Sequence, residues 1–330
     1  MCVPELSLVL PMYNVRQYVE DCLASIYAQP EVERVEVILV DDGSPDDSSA
    51  LAEAWLKAHT ELENWRIIRQ ENLGLGGARN TGLAACRAPY VWFIDTDDEI
   101  APGALAVVFR ELTERPDILA FCARDRSTGE LQIMRTRKIM TGEDFLLEPY
   151  EKRQTFYMTA WSHIWNIHFL LKNSLLYQEH LLHEDSEFTP RAIYFAEKLC
   201  EIPDVLYLIR PNPESITRKP NPQRPFHLLR VCESLFKFAN DVVVSEEIRD
   251  NLYKEIGEML QRSLILTSSM EADLKNYFIR NLEGSDKRLI DTIATLGPRQ
   301  KKVALLFKIL PYKLAIFVYV DIFHKWFNRT

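Results

Sequence analysis

The run Val35-Glu36-Val37-Ile38-Leu39-Val40, halted by Asp41-Asp42-Gly43-Ser44-Pro45, decides how the N-terminal half is read. A β-branched, apolar run of this length that stops at a dense turn signal is a buried strand, and its carboxyl end carries two aspartates. The pattern repeats on both sides. Leu6 to Leu10 is another such strand, ended by Pro11, and Val15, Tyr18, Val19, Cys22, Leu23 and Ile26 then trace one face of a helix. Downstream, the spacing predicts a helix from about Asp47 to Ala58 and a strand at Trp65 to Arg69. A Gly-rich loop (Gly74, Gly76, Gly77) then leads into a helix reaching about Cys86. The strand Tyr90 to Ile94 ends at Asp95-Thr96-Asp97-Asp98; a helix at Pro102 to Leu112 and a strand at Asp117 to Cys122 follow. Strand–helix alternation with near-continuous apolar strands predicts an α/β fold, a mostly parallel sheet flanked by helices on both faces. Ligands of such sheets bind at the carboxyl ends of strands, where both acidic clusters fall.

Beyond residue 122 the pattern loosens. A polar strand pair is expected around Leu131 to Lys138, a mixed stretch holds Trp161 and Trp165, a helix follows Asp185, and a strand runs from Val205 to Ile209. From Phe226 onward the periodicity is helical without strand signals. Three regions are therefore expected: an α/β domain over 1–220, a helical C-terminal region over 221–298, and a basic amphipathic tail over 299–330.

The whole chain has 330 residues, 47% hydrophobic and 26% charged, and a net charge of −9. That composition builds a sizeable core and argues against a nucleic-acid partner held by overall basicity. Met1 to Glu5 lacks the basic start of a signal peptide, and the apolar run after it ends at Pro11. The six cysteines are scattered with no C-x-x-C pair, as free thiols of a reducing cytoplasm would be.

Several constellations could carry chemistry. Asp95, Asp97 and Asp98 crowd three carboxylates into one strand end, which a hard divalent cation would neutralise; a solvated helix-capping turn is the plainer alternative. Asp41 and Asp42 could accept hydrogen bonds from a base or ribose, or merely form a turn. The segment Asn72 to Asn80 offers backbone amides and Arg79 to a diphosphate, but it matches neither the Gly-x-Gly-x-x-Gly pattern nor a P-loop. His180 and His183 have the wrong spacing for a zinc helix. Asp185 reads as a helix N-cap or as a general base facing the cleft.

Together these pieces resemble the family 2 glycosyltransferases of the GT-A (Rossmann-like) fold, of the type that builds bacterial surface polysaccharides. Leu8 to Asn14, Val40 to Ser44, Asn72 to Gly82, Asp95-x-Asp97-Asp98 and His183 to Phe188 match that family's motifs in order, over roughly residues 5–220. Ser215-Ile216-Thr217 is similar to the loop that closes the fold after its last strand. The resemblance implies an inverting, metal-dependent transfer of sugar from a nucleotide-sugar donor, UDP-linked by preference, with Mn2+ or Mg2+. It implies that Pro11, Tyr13, Asp41, Asp42, Gly74, Arg79, Asn80 and Asp95 bind the donor, and that Asp97, Asp98 and Asp95 hold the metal. Asp185 would be the base, with Glu184 second to it, and Trp161 an acceptor-side aromatic.

Arg210 and Arg218 could clamp phosphate or lie on the surface. The tail carries a local +6, leaving the other 298 residues at −15. Its longest uncharged stretch, Leu314 to Val320, is far short of the ~20 residues that cross a bilayer. An interfacial segment at an anionic inner leaflet is expected, with packing on the core as the alternative. The predicted acceptor is a glycan or a polyprenyl-diphosphate-linked saccharide at the cytoplasmic face of the membrane. A sugar nucleotidyltransferase, or a non-catalytic nucleotide-sugar-binding scaffold, is the competing function.

Overall fold

The computed structural model describes residues 3–59, 63–149, 158–212 and 221–324. The expected closing loop at Ser215 to Thr217, Arg218 and the last six residues lie outside them. Two compact units emerge, one of described residues 3–145 and 158–212, the other of 146–149 and 221–324. The helical region and the tail thus fall within a single unit.

In the first unit, strands β1 (Leu6–Met12), β2 (Val35–Asp41), β3 (Trp65–Arg69) and β4 (Tyr90–Phe93) run parallel in the order β3-β2-β1-β4. Every residue of β1, β2 and β4 is buried, because helices cover both faces and apolar runs without alternation satisfy both. Helix α1 (Val19–Tyr27) buries Val19, Cys22, Leu23 and Ile26 and places Glu20 and Asp21 in its first turn, where the helix dipole favours them. Helix α2 (Ser48–Ala58) follows β2, and α3 (Gly74–Ala85) follows β3.

The sheet then departs from the parallel pattern. After β5 (Glu99–Ile100), helix α4 (Ala104–Leu112) and β6 (Ile118–Asp125) come two short strands, β7 (Leu131–Ile133) and β8 (Lys138–Met140). These do not pair with each other as the sequence suggested: β7 joins β6, and β8 joins β10 (Leu199–Ile209). Helix α5 (Gly142–Leu147) precedes the short β9 (His163–Asn166), unmarked by turn residues in the sequence, which inserts antiparallel between β4 and β6. Helix α6 (Ile167–Lys172) and helix α7 (Glu184–Phe195) complete the unit.

At the amino-terminal end of this sheet lies a buried anchor. Glu36, fully enclosed, accepts from Ser7 Oγ (2.7 Å), Arg66 Nη1 (2.8 Å) and Arg87 Nε (2.9 Å). These bonds outweigh burial and hold its carboxyl down at about 2.

The second unit is helical: α8 (Arg224–Asp241), α9 (Glu246–Leu266), α10 (Ala272–Gly284), α11 (Asp291–Ala294), α12 (Pro298–Ile309) and α13 (Tyr312–Ile316), then a wider-wound turn at Phe317–His324. Ser245 caps α9, its hydroxyl accepting from the Ile248 N–H. No described helix is long and apolar enough to cross a membrane.

Candidate active site

The carboxyl ends of β1, β2, β3 and β4 share one edge, and the predicted residues gather along it. Asp42 is buried; its Oδ1 accepts from Gln70 Nε2 (2.7 Å) and the Leu73 N–H (2.8 Å). Asp41 Oδ1 accepts from the Ser44 N–H (2.9 Å), closing the turn that Gly43 permits at φ +70°. Pro11 is buried and its carbonyl accepts from Thr96 Oγ1 (2.6 Å), while Tyr13 is half exposed at the rim. The two flanking turns are thereby laced together.

Gly74, Gly76 and Gly77 form the first turns of α3 rather than a preceding loop. They give clearance. A Cβ on Gly76 would stand 2.5 Å from the Gln178 carbonyl oxygen, and one on Gly74 (φ +77°) 3.3 Å from the His180 backbone. The segment 177–180 lies flat on the helix there, held by Asn80: its Nδ2 donates to the Tyr177 carbonyl (2.8 Å) and its Oδ1 accepts from the Tyr177 N–H (3.0 Å).

Arg79 is 2% exposed and sits between two carboxylates. Its Nη2 donates to Asp95 Oδ1 (2.8 Å), its Nη1 to Glu184 Oε1, and its guanidinium lies 5.3 Å from the Tyr177 ring centre. The expected reach toward a diphosphate is therefore replaced by an internal bridge. Tyr177, silent in the sequence, walls this bridge.

Helix α7 begins at Glu184, preceded by His183 in a left-handed conformation (φ 63°), so Asp185 stands inside the first turn and is not the cap. Burial raises both carboxyls; the Arg79 ion pair offsets part of this for Glu184, whereas Glu184 itself pushes Asp185 further, up to about 7. Asp185 Oδ1 accepts from the Ser186 N–H (2.7 Å). A carboxyl that exchanges its proton near neutrality is suited to general-base work.

The third cluster divides its labour. Asp95 keeps 26% of its side chain exposed, and its N–H donates to the Tyr207 hydroxyl (3.1 Å). Asp97 Oδ2 accepts from Asn212 Nδ2 (2.8 Å), and Asn212 Oδ1 accepts from the Tyr18 hydroxyl (3.1 Å). Asp98 is buried, with Oδ1 accepting from the Arg210 N–H (2.7 Å). Burial and the neighbouring Asp95 raise Asp97; burial, Asp97 and Asp95 raise Asp98 well above the carboxylate range. Among the described residues no three His, Cys, Asp or Glu converge tightly enough to cage a metal unaided. Crowded carboxylates with one partly open member nevertheless fit Mg2+ or Mn2+, which use one or two carboxylates, waters and substrate phosphates. His180 and His183 belong to no such cluster.

Trp161 packs inward, stacked on Tyr207 at 4.5 Å between ring centres. Arg210 pairs with Asp21 (2.8 Å) and Glu99, an inward-tied position rather than a phosphate clamp. Of the described cysteines, Cys22, Cys122, Cys200 and Cys232 are buried, and all, Cys86 included, are free thiols. Tyr207 and Asn212, like Tyr177, contribute to the site although no motif assigns them a role; Tyr207 is visible in the sequence only as one position of an apolar strand.

Parallel strands with acidic turns at their carboxyl ends, on a mixed sheet flanked by helices, form a fold of the GT-A type. The chain belongs to glycosyl transferase family 2, whose model matches residues 7–178. It is 31% identical over 265 residues to the uncharacterized glycosyltransferase EpsJ of Bacillus subtilis, covering 76% of this chain and 74% of that one. Its fold is similar to that of S. aureus TarS 1–349 in complex with UDP (TM-score 0.71, 21% identity, 96% and 91% of the two chains). It is also similar to the mannosyltransferase PcManGT of Pyrobaculum calidifontis in complex with GDP-Man and Mn2+ (TM-score 0.57, 15% identity, 97% and 87%).

Proposed function

We propose that this glycosyltransferase inverts the sugar it transfers, requires a divalent cation, and uses a UDP-sugar to extend a glycan of bacterial surface polysaccharide synthesis. The observation that carries the reading is the convergence of Asp95, Arg79, Glu184 and Asp185 at one strand edge. Asp41, Asp42, Pro11 and Tyr13 are assigned to the base and ribose, Asn80 and Gly74 to the platform beside them, and Asp95 to the ribose and the metal. Asp97 is the principal cation ligand; Asp98, already engaged by the Arg210 N–H, is secondary. A bound Mn2+ or Mg2+ would disperse the charge that accumulates on the departing diphosphate.

The remaining chemistry belongs to the protein. Asp185 takes the proton of the acceptor hydroxyl as that oxygen bonds to the anomeric carbon, while the opposite carbon–oxygen bond to the nucleoside diphosphate breaks. Glu184, tied to Arg79, pushes the Asp185 proton affinity up. The relatedness in fold to a UDP complex and to a Mn2+ complex supports the donor and the cation. The acceptor is a glycan or a polyprenyl-diphosphate-linked saccharide, met on the cytoplasmic side of the membrane.

One panel tests the reading: UDP-, GDP- and dTDP-sugars with Mn2+, Mg2+ or EDTA, followed by thermal shift and by slow hydrolysis to nucleoside diphosphate. UDP-sugar binding that requires metal is the expected result. Absence of metal-dependent binding to every donor overturns it.

A further inference from the structure

The C-terminal helices of the second unit have two faces. Ala304 and Phe307 of α12, Ala315 and Ile316 of α13, and Tyr319 and Val320 beyond them are buried. Packing on the core is thus real for one face. On the other, Leu305, Ile309, Leu314, Phe317 and Ile322 are 46% to 68% exposed. Sixteen large hydrophobics are exposed among the described residues, and five of them crowd into these eighteen positions. Singly exposed apolar residues need no explanation; a cluster does.

Charge tells what covers them. From Arg299 to Val320 there are five basic residues and no carboxylate in a chain of net charge −9. Lys301, Lys302, Lys308 and Lys313 are all exposed, and of these Lys308 pairs with Asp291 (2.6 Å). Lys301, Leu305, Lys308 and Ile309 follow one another at i, i+4, i+7 and i+8, a single stripe of α12. Lys313, Leu314 and Phe317 repeat the mixture one turn of chain later. A second copy would bring cation to cation. An anionic lipid surface instead receives the side chains at interfacial depth while its headgroups meet the ammonium groups.

We infer that the outer face of α12 and α13 is a membrane-docking surface for an anionic bilayer, built from Lys301, Lys302, Leu305, Ile309, Lys313 and Phe317. It deepens the transferase reading by placing the enzyme where a lipid-linked acceptor lies, and its test separates the two. The full chain is floated with phosphatidylcholine vesicles and with vesicles containing 30% phosphatidylglycerol, at low and high salt. At least tenfold more protein should float with the anionic vesicles at low salt, and the excess should collapse at high salt. Two variants, K301E/K302E/K313E and L305S/I309S/F317S, should each lose five-fold or more of that binding while retaining their thermal midpoint and donor hydrolysis in solution.

Equal flotation on both vesicle types, or wild-type flotation in both variants, overturns the inference. So does a dimer in light scattering that the variants dissolve, since the face would then be a subunit interface. A chain that hydrolyses donor yet ignores vesicles refutes the docking surface alone. One that floats yet binds no donor refutes the transferase reading alone.

Discussion

Arg79 donates from one terminal nitrogen to Asp95 and from the other to Glu184, so a single buried guanidinium joins the donor-side strand end to the start of α7. The two halves of the site are therefore mechanically and electrostatically linked. Arg79→Ala leaves two inward carboxylates without a counter-charge and should destabilise the fold by about 3–5 kcal/mol. Arg79→Lys keeps the charge but cannot span both partners with one planar fork. Its thermal midpoint should fall less than that of Arg79→Ala, while kcat/KM drops in both; an unchanged kcat/KM in the lysine variant would show that the bridge is dispensable.

Asp185→Asn should bind the donor normally and lose transfer by about 10²–10⁴-fold. In the wild type, kcat/KM should rise with pH through neutrality, because the raised Asp185 carboxyl must lose its proton to act. Glu184→Gln removes the neighbour that pushes Asp185 up and should move that limb toward lower pH. Initial rates from pH 5 to 9 check both, and a limb that stays put in Glu184→Gln contradicts the assignment.

Asn212 orients Asp97 and is itself held by Tyr18. Asp97→Ala should abolish Mn2+-dependent UDP binding. Asn212→Ala should weaken Mn2+ binding in the presence of UDP by about 10–100-fold, and Tyr18→Phe by less, since outer partners aim a ligand without supplying it. Calorimetric titration with Mn2+ reads each directly.

Gly76→Ala should dislodge the segment 177–180 from α3 and lower both the thermal midpoint and activity. Gly284→Ala, at the end of α10 with nothing within 4 Å of the new methyl, should be neutral or stabilise by up to about 1 kcal/mol. Paired melts of the two variants make the comparison.

Glu36→Gln should cost on the order of 3 kcal/mol at pH 7, the worth of lowering its carboxyl from 4.5 to about 2. Because the folded value is depressed, this stability is complete above the unfolded value of 4.5 and lost as pH falls through about 2. Denaturant midpoints at pH 3 and pH 7 should thus differ less in the variant than in the wild type.

The strands β1, β2 and β4 were legible because a strand buried on both faces is spelled by a near-continuous apolar run, and the acidic turns after β2 and β4 were legible because turns are spelled by Asp and Gly. Strand β9 was not: its four residues, His163 to Asn166, carry neither turn punctuation nor alternation, and they form a strand only because β4 and β6 offer unpaired edges. The glycines of α3 misled for a related reason. Glycine signals a backbone that something approaches closely, but sequence alone does not name the visitor, here residues 177–180. Arg79 looked like a ligand-facing cation because its two anionic partners lie 16 and 105 residues away. Long-range pairing is what a linear motif omits.

Asn80 does for Tyr177 what a neighbouring peptide would do in a sheet, giving one hydrogen bond and taking one. An uncharged amide side chain carries a donor nitrogen and an acceptor oxygen on one planar carbon, as a peptide group presents both, and of the two such residues asparagine is the shorter. The position is thus a spelling rule. Aspartate, identical in outline, would turn one of the two bonds into a meeting of lone pairs, so a single-atom change here would unfasten an entire wall of the cleft.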